Sequence, residues 1–188
     1  VLGLSLAAPH WGAGQNIVSI STREGLSNSS ILSVAQDADG YIWAGSCEGL
    51  NLWDGKQSRN YKLSGNLIHR IIPTGDGMLW VYSNYGFDLF DPREKTCERH
   101  ARFNRPYAVT AGSREEAFLV HDGQLYGYNP ATSEFEPAEI AGSPVTLDRR
   151  TRMFMDRRGS LWIIRPEGLY HYDITRSASG NCSAVETR

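Results

Sequence analysis

The chain has 188 residues, 40% of them hydrophobic and 21% charged, with a formal net charge of -2. This is the composition of an ordinary folded protein with enough apolar residues for a sizeable core. The near-neutral balance and a pI near 6.2 exclude an electrostatic case for nucleic acid or an anionic membrane as partner.

Residues 1–15 begin with an uncharged apolar run in which Ser5 and Ala7 have the small size preferred before a signal-peptidase cut. They read as the remnant of a secretory signal or as a disordered tail. Residues 16–30 are expected to be a closing strand, 16–21, and a lead-in that turns at 25–28. From there a phrase recurs. Asp39-Gly40-Tyr41-Ile42-Trp43 is followed by Gly49-Leu50-Asn51-Leu52-Trp53-Asp54. Asp76-Gly77-Met78-Leu79-Trp80 is followed by Gly86-Phe87-Asp88-Leu89-Phe90-Asp91, and Arg158-Gly159-Ser160-Leu161-Trp162 by Gly168-Leu169-Tyr170-His171-Tyr172-Asp173. A weaker copy carries Phe118 in the tryptophan slot and Asn129 in the aspartate slot. The slots Trp43, Trp80, Phe118 and Trp162 are 37, 38 and 44 residues apart, and Asp54, Asp91, Asn129 and Asp173 keep the same spacing. A period of that length means stacked or radially arranged units.

Each copy parses into short strands separated by Asp-Gly and similar turns, which readily take positive φ. The first gives 31–36, 41–46, 50–53 and 59–63; the second 68–73, 78–83, 87–90 and 97–103. The third gives 108–111, 117–120, 124–128 and 135–140; the fourth 152–155, 161–164 and 169–172. The fold class is therefore all-β, with β-propeller blades of four antiparallel strands over 31–63, 68–103, 106–140 and 151–175. The slot aromatics are expected to pack between neighbouring sheets. After Asp173 the sequence is polar and small and reads as a poor strand, so 176–188 is a polar tail or a truncated outer strand. Either residues 16–21 close a four-bladed ring, or the four blades are part of a larger, seven-bladed one; the second is favoured.

Catalytic and metal chemistry find little support. Cys47, Cys97 and Cys182 have no paired spacing. His69, His100, His121 and His171 have no metal-ligand spacing. Asp37-Ala38-Asp39-Gly40 lacks the later acidic ligands of a calcium loop and reads as a hairpin turn. No catalytic residue, metal or cofactor is assigned. Arg149, Arg150, Arg152, Arg157 and Arg158 read as a solvated edge. Topology places the turns between second and third strands, and those joining successive blades, on one rim. Glu48, Asn84, Tyr85, Asp122, Arg165 and Glu167 are the candidate ligand-binding residues there, with Asn28, Asn66 and Arg105 beside them. Amides, carboxylates, an arginine and a tyrosine suit sugar recognition.

Residues 28–37, read with Gly40-Tyr41-Ile42-Trp43, Gly49-Leu50 and the lead-in Glu24-Gly25-Leu26-Ser27-Asn28, resemble the two-component-regulator propeller repeat. The likeness covers roughly residues 16–175 and is weakest in the third copy, where Arg114-Glu115-Glu116 replaces the turn. It implies the periplasmic sensor region of an inner-membrane signalling protein, commonly a hybrid histidine kinase that detects oligosaccharides. The implied partners are an oligosaccharide and the remaining blades and downstream domains of the same protein, with pairing of the parent as a homodimer left open. A lyase-type propeller enzyme and a protein-interaction scaffold are the alternatives.

Overall fold

The computed structural model describes residues 18–100, 103, 106, 108–141 and 146–187. Four sheets follow one another along the chain. The first contains β1 (Ile31–Gln36), β2 (Ile42–Ser46), β3 (Gly49–Trp53) and β4 (Ser58–Tyr61). The second contains β5 (Ile68–Pro73), β6 (Leu79–Ser83), β7 (Gly86–Asp91) and β8 (Thr96–Glu98), and the third β9 (Ala108–Ala111), β10 (Ala117–His121), β11 (Gln124–Asn129) and β12 (Glu134–Pro137). The fourth is built on β14 (Arg152–Met155), β15 (Leu161–Arg165), β16 (Gly168–Arg176) and β17 (Cys182–Glu186), with β13 (Glu139–Ala141) added at its edge. Neighbouring strands run antiparallel, apart from the parallel pair of β13 and β17. These are propeller blades, as the repeat predicts, and the strand limits match to within a residue or two over most of the chain.

The recurring Gly-flanked turns have a shared local cause. Asp37 and Asp156 each accept backbone N–H groups of their own turn and also the indole N–H of the tryptophan six residues on, at 2.7 and 2.9 Å. Those hydrogen bonds hold the Asp156 carboxyl below its usual range, the indole of Trp162 contributing most. The first carboxylate of the Asp37-Ala38-Asp39-Gly40 stretch is thus consumed by the hairpin, whose Gly40 sits at φ 87.

The cores lie between sheets. Trp43, Leu50, Leu52, Ile68, Ile71, Leu79, Val81 and Phe90 fill the first interface. Trp80 stands at the centre of the second, with Phe87, Tyr128 and Phe135 at 5.0–5.5 Å between ring centroids. Phe118 joins Met153, Leu161, Ile163 and Tyr172 in the third. A second periodic element supports them. Leu26, Leu63, Phe103 and Leu147 each lie five residues before an inner strand, at Ile31, Ile68, Ala108 and Arg152. Leu63, Phe103 and Leu147 pack into the three cores, and Leu26 is buried as well.

Four expectations are corrected. The region after Asp173 is no poor strand: β16 runs on to Arg176, turns at 177–181, and returns as β17. Its inward residues, Cys182 and Ala184, are small and buried in the third core, and Cys182 meets Gly127, where an added Cβ would stand 2.9 Å from Cys182 Cβ. Close approach, not hydrophobicity, selects the small side chain at Cys182. Second, residues 18–21 are not in a strand, and β17 and β13 occupy the fourth sheet's edge that a closing strand would need; residues 16 and 17 lie outside the described residues. Third, the strand expected over 135–140 breaks at Ala138, whose N–H bonds Leu125, and its second half crosses to the next sheet as β13. Fourth, Trp162 is half-buried, stacked on His171 at 4.2 Å on the outer face of the fourth sheet, where no further sheet lies among the described residues. The packing role expected of the four slot aromatics therefore holds for Trp43, Trp80 and Phe118.

Candidate functional site

Register puts the turns after β2, β6, β10 and β15 at one end of the sheets, beside the starts of the inner strands: Ile31 faces Ser46, Ile68 faces Ser83, and Arg152 faces Ile164. Serines shape the first two turns, with Ser46 Oγ accepting from Glu48 N–H and Ser83 Oγ from Tyr85 N–H. The side chains of Glu48 and Glu167 are exposed, and Tyr85 presents 55% of its surface to water. Asn66 is exposed as well. Asn84 is structural. Its side-chain oxygen accepts from Leu67 N–H and its own N–H donates to Leu67, which ties the turn to the incoming linker. Asn28 likewise accepts from Ser30 N–H. Asp122, in the left-handed region at φ 47, lies 3.3 Å from His121 Nε2, and His121 meets Phe103 edge-on. Arg165 turns inward: it is buried, with its guanidinium 4.1 Å over the Tyr170 ring. Arg105 falls outside the described residues.

The candidates therefore share a rim by topology, yet among the described residues no hydrogen bond or ion pair joins the side chain of one turn to that of another. Glu48, Tyr85, Asp122 and Glu167 are presented to solvent, while Asn84 and Arg165 are held by the fold. Among the described residues no three His, Cys, Asp or Glu side chains converge as a metal group.

Sequence reasoning missed two concave places that the described residues form at the opposite rim. One, of about 300 Å³, lies between the first two sheets and includes Asp39, Tyr41, Arg59, Arg93 and Lys95 in its lining. The other, of about 340 Å³, lies between the second and third sheets and includes Asp76, Arg114 and Glu115. The sequence signal was present but divided: Tyr41 takes the turn position that Met78 and Ser160 hold in other copies, and Arg93 and Lys95 sit in a different blade.

A further buried group lies between the second and third sheets. His100 is 3% exposed, ringed by Trp80, Tyr128 and Phe135, with Glu98 Oε1 3.4 Å from Nε2 and Glu134 Oε2 3.9 Å from Nδ1. Burial lowers its pKa, and this outweighs the opposite pull of Glu98, Glu134 and Asp88. Tyr128 donates to Glu98 at 2.7 Å, and burial pushes its phenol up to about 12. Burial likewise pushes the Cys97 thiol to about 12, which leaves it unreactive at neutral pH.

Residues 25–48, which form the lead-in, β1, β2 and the following turn, match the family model of the two component regulator propeller. Solved structures extend the likeness of fold over most of the chain. The extracellular domain of a protein assigned as a one component system from B. thetaiotaomicron shares 18% identity at a TM-score of 0.65, covering 84% of this chain and 23% of its own. The extracellular domain of a protein assigned as a hybrid two component system from the same organism shares 16% identity at a TM-score of 0.62, covering 91% of this chain and 24% of its own. An auxiliary nutrient binding protein from Bacteroides ovatus shares 13% identity at a TM-score of 0.59, covering 84% of this chain and 41% of its own. The chain thus spans about a quarter of the first two. No curated protein matches it. Among the described residues no helix is long and apolar enough to cross a membrane.

Proposed function

We propose that this chain is the blade-bearing part of a periplasmic ligand-sensing ectodomain in a two-component signalling protein. It binds an oligosaccharide on the rim of the β2–β3-type turns and contributes that binding to a signal read by a cytoplasmic kinase. The observation that carries the reading is the division of labour within the regulator propeller repeat. Its recurring residues are consumed by turns and cores, while the slot before the turn glycine, held by Glu48, Tyr85, Asp122 and Glu167, stays exposed on one rim and carries an aromatic in the second copy and carboxylates in the other three. Exposed carboxylates with an aromatic plane suit sugar hydroxyls. Likeness in fold to extracellular domains assigned to one component and hybrid two component systems supports the location, and likeness to a nutrient binding protein supports a nutrient ligand. The bare outer face of the fourth sheet supports further blades as the neighbouring part of the same protein.

Calorimetry of the whole ectodomain against an oligosaccharide panel tests this. Saturable binding weakened by Tyr85→Ala supports it; no binding to any glycan rejects it. A lyase reading has one feature in its favour, the His121–Asp122 contact at 3.3 Å on the same rim. Product formation abolished by His121→Ala would replace the sensor reading.

A further inference from the structure

We infer that the groove between the first two blades, on the rim opposite the β2–β3-type turns, binds a carboxylate-bearing saccharide of the uronate type. The site goes beyond the sensing rim and stands on different residues. Arg59, Arg93 and Lys95 supply three cations to a groove of about 300 Å³, a volume at the small end of ligand sites. Among the described residues Arg93 and Lys95 have no carboxylate within 4.0 Å, and Arg59 has Asp54 alone, at 3.5 Å, with its side chain 59% exposed.

The groove carries two carboxylates against three cations, and one of the two is turned into its own hairpin. Asp37 is engaged by the N–H groups of Asp39 and Tyr41 and by the Trp43 indole. Asp39 remains as a free acceptor. The neighbouring groove differs, since Arg114 there is accompanied by Asp76 and Glu115.

The cations are also placed. The Arg93 guanidinium lies over the turn glycine Gly77, where an added Cβ would stand 3.3 Å from Nη2, and Gly77 holds φ 88. Lys95 takes a left-handed backbone at φ 57, in the same turn as Arg93. Behind them Trp43 and Tyr61 of the lining pack with Phe90, with ring centroids 5.2–6.2 Å apart. Tyr41, 44% exposed, also lines the groove. A guanidinium and an ammonium take a carboxylate by charge-assisted hydrogen bonds. An adjacent aromatic face and a free carboxylate take the apolar face and the hydroxyls of a sugar ring. A uronate joins those two demands in one molecule.

The test uses the 188-residue chain with digalacturonate, its neutral counterpart digalactose, and inorganic sulfate as probes in calorimetry. Digalacturonate is expected to bind, digalactose to bind at least tenfold more weakly, and Arg93→Gln with Lys95→Gln to weaken digalacturonate on the order of tenfold or more, the worth of one or two charge-assisted bonds. Tyr41→Ala is expected to weaken digalacturonate and leave sulfate unchanged. All three positions are on the surface, so an unchanged melting curve certifies each variant. Equal binding of digalacturonate and digalactose, or no loss in the double variant, overturns the site. Sulfate binding as tightly as digalacturonate, with no effect of Tyr41→Ala, overturns its saccharide character. Tyr85→Ala on the other rim is expected to leave digalacturonate binding unchanged, which separates this inference from the sensing-rim proposal; a loss there overturns the assignment to this groove.

Discussion

The outer side of the first sheet and the outer side of the fourth both lack a neighbouring sheet among the described residues, but they are finished differently. On the first, the lead-in folds back. Leu26 is buried, Ser27 N–H donates to Asn51 Oδ1 at 2.8 Å, and Ser27 Oγ meets Ser46 Oγ at 2.9 Å. Asn51, fully buried, spends its amide on Ala44 O at 3.0 Å. This arrangement is repeated inside the stack, where Ser64 bonds Asp88, the residue in the Asn51 register. Only Leu32 and Val34 on β1 stay open, at 46% and 64% exposure. The fourth sheet has no such cover. Phe154, Ile164, Leu169 and Val185 are 43–61% exposed and surround half-buried Trp162. By register they share one face. The same phrase thus yields a buried or an exposed tryptophan according to what packs on it, and contiguous apolar residues of this kind mark an interface.

Substitutions on the two sides should separate them. The largest effect is expected at the interior tryptophan. Trp80→Ala removes a fully buried ring touching Phe87, Tyr128 and Phe135, and should cost about 3–5 kcal/mol in denaturant unfolding. Trp162→Ala should cost under about 2 kcal/mol, since it loses one stacked partner and an exposed-side hydrogen bond. Equal losses would mean the fourth sheet is covered in solution.

Next comes Asn51→Ala, which leaves Ser27 N–H without its acceptor under the lead-in and removes the side-chain bond to Ala44 O. It should cost about 1–3 kcal/mol by the same unfolding measurement. A neutral result would show that the lead-in does not hold the first face.

A pH effect follows in size. His100 has its folded pKa lowered, so the unfolded chain takes up the proton first. The stability it contributes is full above the unfolded value of about 6.5 and is lost as pH falls below it. Thermal melting should fall on going from about pH 7 to about pH 5, and His100→Gln should flatten part of that slope. Glu98, Glu134, Asp88 and Tyr128 face this ring. An identical slope in the variant would show that His100 is not the group responsible. The smallest change in stability is expected from Phe154→Ser with Leu169→Ser. Melting should barely move while sedimentation shows less self-association.

Much of this was legible in the sequence, for a physical reason. Asp-Gly turns and aromatic slots are local signals, each strand being bounded within a few residues of its cause. Asp37 and Trp43 are six residues apart and make their own contact. What escaped depends on approach between sheets. β17 reads as a poor strand because its inward Cys182 must fit against Gly127 of another sheet, more than 50 residues away. The split of β12 from β13 is decided by which sheet receives residues 139–141. The candidate rim was partly legible: its turns were found from topology, but the inward rotation of Arg165 and the anchoring of Asn84 depend on neighbours that spacing does not reveal. The cationic groove was invisible because Tyr41 and Arg93 come from different blades.

Most rests on the fourth sheet's outer face being an interface for another blade of the same protein. Maleimide labelling of Leu169→Cys, in a background with Cys47, Cys97 and Cys182 replaced by Ser, measures this directly. Fast labelling in the 188-residue chain and strong protection in the whole ectodomain is the expected outcome. Equally fast labelling in both would contradict it.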